Sequence, residues 1–175
     1  DDICEGFTTN FRFVLNFATG ENTVLSDQQT TTYEAYDGKS FQFATKVFTN
    51  QNLDRQVMGN ANLDNGDLTV NLRKPAKETI NLGEAVFPAQ HLAKIIEAGK
   101  TGETFYRSMV FDGADTGGET YFTQSVIGKA KTSIAAENEE ASVLTSDVAG
   151  KPYWPVSISY FKQGEDAAGV SGEGA

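Results

Sequence analysis

Histidine, tryptophan and cysteine occur once each in this 175-residue chain, and proline four times. With His91 the sole histidine, a histidine-rich metal site is excluded, and a Ser-His-Asp triad would have to use it. Basic residues are also scarce. Fourteen Lys and Arg face 24 Asp and Glu, giving a net charge of −10 and a pI near 4.5. Such a surface repels both a phosphate backbone and an anionic membrane. No basic patch relieves this, since Arg73, Lys74 and Lys77 only flank Pro75 in a turn. Nucleic acid is therefore not an expected partner, whereas a neutral lipid is not excluded. No apolar run approaches the ~20 residues of a spanning helix, so no transmembrane segment is expected. Nor does a charged segment followed by an apolar one open the chain. The reading is a cytosolic protein, a mature exported one, or a piece cut free of its leader.

What the sequence has in quantity is alternation and aromatic residues. Hydrophobic residues make up 39% and charged residues 22%, enough for one domain with a sizeable core. From Phe7 the odd positions run Phe7, Thr9, Phe11, Phe13, Leu15, Phe17, with polar residues mostly between them. That period of two makes a long half-buried strand with one aromatic face. Further extended segments fall at about 23–35 and 39–49, joined at Asp37-Gly38, and at about 53–63 and 67–72, joined through Asn65-Gly66. A short strand follows around Ile80 and Leu82, and later strands around "ETFYRSMVFDG", "ETYFTQSVIGK" and "YWPVSISYF". "ASVLTSD" is a further candidate, and Pro155 suits an edge, a bulge or a strand start.

One helix interrupts them, in "FPAQHLAKIIEAGKTG". Pro88 suits its first turn, Leu92, Ile95 and Ile96 share a face, and Gly99 supplies a stop with Lys100 near the negative end. That apolar face is expected to meet the sheet. No Ser, Thr, Asp or Asn stands at the N-cap. The expected architecture is mainly β: a mostly antiparallel sheet of nine or ten strands with one short helix packed against it. One domain spans 2–163, and the Gly-rich 164–175 reads as a flexible tail or linker.

"SDQQTTTYEA" is polar on both faces, so either its hairpin projects into solvent or one face lines a wet groove. The aromatic faces carry a similar choice. Phe11, Phe13, Phe17, Phe41 and Phe43, with Leu92, Ile95 and Ile96, either line a ligand groove or form ordinary core.

No motif assembles chemistry. Asp115-Thr116-Gly117 matches the aspartic-protease tripeptide but has no second copy to share a proton, and it reads as a hairpin loop. Gly99-Lys100-Thr101 follows a helix, whereas a phosphate loop must open one. "NANLDNGD" has Asn65 where a calcium loop needs glycine, so it reads as a turn. His91 is read as a packing or hydrogen-bonding residue. No catalytic residue, cofactor or metal is expected, and a hydrolase is disfavoured.

Cys4 remains open on these grounds: a buried thiol, a reactive thiol and half a disulfide all fit. Five stretches, "CEGFTTNFRF", "DQQTTTYEAYDGKSFQFATK", "FPAQHLAKII", "VFDG" and "WPVSISYF", together resemble the periplasmic cell-envelope-integrity proteins of the EipB type from Gram-negative alphaproteobacteria. They run in the family's order from Cys4 to Phe161. The resemblance implies a long antiparallel sheet wound into an open, spiral-like barrel around a helix, similar to bacterial carriers of lipids and lipoproteins. It implies a periplasmic, non-enzymatic protein whose partner is a lipid, a lipoprotein or another envelope protein. It also implies that Cys4 pairs with a cysteine outside this chain, and that an export leader and further strands flank this piece.

Overall fold

Two-residue turns set the path of the chain. Asn50-Gln51 and Asn65-Gly66 both place two consecutive residues at positive φ, the backbone that matches strand twist in a tight hairpin. The computed structural model describes residues 5–19, 22–132 and 151–162. Among these, β1 (Gly6–Thr19), β2 (Asn22–Ala35), β3 (Ser40–Thr49), β4 (Asn52–Asp64), β5 (Asp67–Lys74) and β6 (Glu78–Glu84) form an antiparallel meander in chain order. Helix α1 (Pro88–Thr101) follows, then a three-stranded antiparallel sheet of β7 (Phe105–Val110), β8 (Tyr121–Ile127) and β9 (Val156–Lys162). A parallel bridge between Val86 and Val110 links the two sheets. β1 and β6 each pair on one side only among the described residues, so the sheet stays open. Register shifts at Val47/Phe48, Met58/Gly59 and Leu68/Thr69 are bulges, which bend strands and increase twist. The architecture is thus the expected mainly β, open antiparallel one with a single helix. "ASVLTSD" and the Gly-rich 164–175 lie outside the described residues.

The core sits where period-two faces converge. Phe41 and Phe43 on β3, Leu68, Val70 and Leu72 on β5, and Val57 and Ala61 on β4 are buried with Phe87 and Phe111. Phe41 stacks on Phe87 at 5.1 Å between centroids and meets Phe111 edge-on at 6.0 Å. The loop from Phe111 to Thr120 closes this cluster. Gly113 and Gly117, both at positive φ, lie so close to Phe43 that a Cβ on either would come within 2.5 Å and 2.8 Å of its ring.

A second cluster joins α1 to the smaller sheet through Ile95, Ala98 and Ile127, with Tyr106, Trp154 and Ile158 around them. Two expectations need correcting here. The buried helical stripe is His91, Ile95, Ala98 and Gly99, spaced i, i+4, i+7 and i+8, whereas Leu92 and Ile96 are 52% and 49% exposed. They lie about 100° around the helix from their buried neighbours. A stripe that includes histidine wins because the sheet offers that ring a hydrogen-bond partner. The helix also runs past Gly99 and ends at Gly102, which takes the left-handed conformation at φ 84°. Gly99 serves packing instead: its missing Cβ leaves room for the Trp154 ring, whose carbons would lie 3.1 Å from one.

Candidate functional site

Residues directly opposite in an antiparallel sheet share a face, so the register traces rows across it. One row reads Phe7, Glu34, Phe41, Ala61, Val70, Ile80. Phe41, Ala61 and Val70 in this row belong to the core, and Glu34 is buried with them because it caps α1. Its Oε2 accepts the Ala89 amide at 2.7 Å and its Oε1 the Gln90 amide at 3.0 Å. The carboxylate thus replaces the cap that the local sequence lacks, and it meets the positive end of the helix. Burial pushes the Glu34 carboxyl above its ordinary range, while the two amides pull it back.

Further along the strands the covering layer ends. After the row of Thr9, Thr32 and Phe43, the rows on the same face begin with Phe11 opposite Thr30 and Phe13 opposite Gln28, and continue to Leu15 and Phe17. Phe11 is 53% exposed and Phe13 51%, and their near-parallel rings sit 6.4 Å apart. Leu15 and Phe17 are exposed as well. Beside this aromatic ladder β2 presents a polar strip, in which Thr30 shares a 3.0 Å hydrogen bond with the buried Thr45 of β3. The opposite face of the hairpin is mostly polar, with Val14 across from Asp27 as an exception. Arg12 holds Asp27 in a bidentate pair at 2.9 and 2.7 Å, and Thr31 donates to Asn10 at 2.9 Å. β1 is therefore amphipathic, and its apolar face is uncovered among the described residues.

That geometry sorts the expected ligand-lining residues. Phe11, Phe13 and Phe17 are together on the exposed ladder. Phe41 and Phe43 are not with them: at 1% and 2% exposure they are sealed under Phe87, Phe111 and the glycine loop. Ile95 is core, and Leu92 and Ile96 are exposed on α1. The polar segment of β2 does not project freely, since Ser26–Glu34 pairs with β3 on one side and β1 on the other. Its paired threonines and its capping glutamate are what made it read as polar on both faces. Cys4 lies outside the described residues.

The remaining candidates have structural partners. His91 is buried, and its Nε2 lies 3.1 Å from Thr123 Oγ1, which donates its own proton to the Ser108 carbonyl at 2.9 Å. The hydroxyl can then only accept from the ring, so His91 carries its proton on Nε2. Burial, and then Lys94, hold its pKa below the ordinary value, so the ring is neutral. Asp115 accepts from Tyr121 and Lys162, both at 2.9 Å, and these bonds hold its carboxyl low. Asp112, which directly follows the core Phe111, is pushed up by burial. Asn65-Gly66 is a hairpin turn, and Thr101 back-bonds to Ala98 at the end of α1. Among the described residues no group of three or more His, Cys, Asp and Glu is placed to hold a metal ion. No helix among them is long and apolar enough to cross a membrane.

The chain matches the EipB-like family model over residues 1–171. It belongs to the EipB-like family. It is 36% identical over 168 residues to the cell envelope integrity protein EipB of Brucella abortus (strain 2308), covering 95% of this chain. It is also similar to the crystal structure of a β-barrel-like protein of a domain of unknown function from Brucella abortus, with a TM-score of 0.79 and 36% identity. That match covers 90% of this chain. The EipB-like chain spans 59% of the length of the curated relative and 65% of the solved one.

Sequence reasoning missed two features of this family member. Glu34 as a cap had only one indirect signal, the absence of a capping residue before Pro88. The closing role of the Phe111–Thr120 loop was masked because its glycines read equally well as a solvent-exposed turn.

Proposed function

We propose that this chain supports cell-envelope integrity as a non-enzymatic periplasmic protein that holds a lipid or a lipidated partner on the aromatic face of β1. The observation that carries this reading is the row of Phe11, Phe13, Leu15 and Phe17, which continues the core face of the sheet but is uncovered among the described residues. These side chains are already about half buried, so covering the remainder against an acyl chain would contribute roughly 1 kcal/mol each. The relative's role in envelope integrity supports the cellular setting. In this reading Cys4 is half of a disulfide to a cysteine outside this chain, which non-reducing peptide mapping of the exported protein would reveal.

The test is displacement of a fluorescent fatty acid from the full-length protein. Phe11→Ser with Phe13→Ser should weaken uptake strongly while leaving the melting transition nearly unchanged, because neither ring belongs to the core. Equal uptake by parent and variant would remove the ladder from the proposal. A second reading is favoured by the outer edge of β1, which pairs only with β2 among the described residues. A protein partner adding a strand there would use backbone hydrogen bonds and the same rings. Lipid in an organic extract of purified protein favours the first reading; an extract free of lipid favours the second.

A further inference from the structure

From a cavity of about 350 Å³ formed by the end of β4, the Asn65-Gly66 turn, the Glu84–Val86 stretch, α1 and β7, we infer that the chain has a second binding site, for an anionic group joined to a short apolar body, such as the phosphate end of an amphiphile. Its apolar lining includes Leu63, Val86 and Met109, and its charged lining is Lys94, Arg107 and Glu84. Leu63 and Met109 are half-buried residues packed on the main core, so this wall is fixed by the fold. Lys94 comes from the exposed side of α1 and Arg107 from β7. Neither forms an ion pair among the described residues, in contrast to Arg12 and Lys162. Arg107 instead stacks over Phe105 at 4.7 Å.

The charge at this lip runs against the rest of the molecule. On a chain of net charge −10, two cations without carboxylate partners among the described residues share one cavity with a single carboxylate. Two like charges lining one pocket disfavour each other, and an anion bound there would be attracted by both. Inorganic phosphate would satisfy the cations but leave the apolar wall wet. A phosphate carrying a short chain satisfies both. The volume lies at the small end for ligand pockets, enough for a headgroup and the start of a chain rather than a whole lipid. Because no residue of β1–β3 lines the cavity, this site is independent of the aromatic ladder.

Calorimetric titration of the full-length protein with dihexanoylphosphatidylglycerol, kept below its micelle concentration, tests the inference. The probe should bind, and Lys94→Ser with Arg107→Ser should weaken it about tenfold or more, the loss expected for two charge-assisted contacts. Lys100→Ser, which removes an exposed cation of the same helix away from the cavity, should leave binding unchanged. In the Phe11→Ser with Phe13→Ser background, where the ladder is removed, the probe should still bind and should still lose affinity when Lys94 and Arg107 are replaced, which separates this site from the ladder. Inorganic phosphate should bind about tenfold more weakly than the probe, for want of the apolar contact. No binding by the parent, equal binding by the Lys94/Arg107 variant, or equal affinity for inorganic phosphate would each overturn the inference.

Discussion

Gly113 lies directly on the ring of Phe43, with a Cβ at that position reaching 2.5 Å from the ring's Cγ. The contact makes the core of the larger sheet depend on a loop from the smaller one. Gly113→Ala should therefore destabilise by about 2–4 kcal/mol, combining overpacking with an alanine at φ 69°. Urea denaturation would measure it. A loss below about 0.5 kcal/mol would mean that the loop yields without cost.

Glu34 ties β2 to the start of α1 across 55 residues of chain. Replacing it with alanine removes both amide acceptors, and a loss of about 1–3 kcal/mol is expected. Glu34→Gln keeps one acceptor oxygen and should fall between the two. Backbone amide exchange at Ala89 and Gln90 should accelerate in the alanine variant more than exchange in β5. Uniform acceleration across the chain would argue against a local cap.

The buried stripe of α1 separates neighbours in sequence. Ile95→Ala should cost about 2–5 kcal/mol, as for an internal cavity. Leu92→Ser and Ile96→Ser, on the exposed side, should each stay within about 0.5 kcal/mol. Thermal melts on the three variants would check this ranking, and equal shifts would contradict the helix orientation.

Asp112 gives a pH signature. Burial raises its folded pKa, so the native state holds this proton more tightly than the unfolded chain does. Its contribution to stability is then fully present below the unfolded carboxylate range and is lost as pH rises through the raised folded value. Asp112→Asn keeps the acceptor for the Ala114 amide, now 2.9 Å from Oδ1, and removes the charge. The variant should gain stability over the parent as pH climbs from about 4 toward 7. Denaturation series at both pH values would show it; a gap that narrows with rising pH would reverse the assignment. Asp115 has the opposite sign, since Lys162 and Tyr121 lower its pKa: its contribution is present above the unfolded range and fades on acidification.

Alternation in β1, β3 and β5 and the turns at Asp37-Gly38 and Asn65-Gly66 were legible in the sequence because both signals are local. The open antiparallel architecture followed from these and from the family resemblance. The facing of Leu92, Ile95 and Ile96 was not, since hydrophobicity alone favours Leu92 over His91, and only the sheet supplies Thr123 as a partner. Gly99 looked like a helix stop because a glycine demanded by Trp154 and one demanded by a left-handed cap are the same letter. Of the aromatic candidates, β1 and β3 show equally apolar alternation. Which is covered depends on Phe87, Phe111 and the glycine loop, all distant in sequence.

β1 contributes no buried side chain among those described, and polar residues of β2 separate it from Phe41 and Phe43. Its hydrogen bonds can therefore break without opening the core, so its free energy of opening should fall well below that of global unfolding. In native-state hydrogen exchange its amides should lose protection before those of β3–β5. An occupant of the aromatic ladder would slow that exchange selectively. The first strand then serves as a reporter whose protection rises only while something is bound to it.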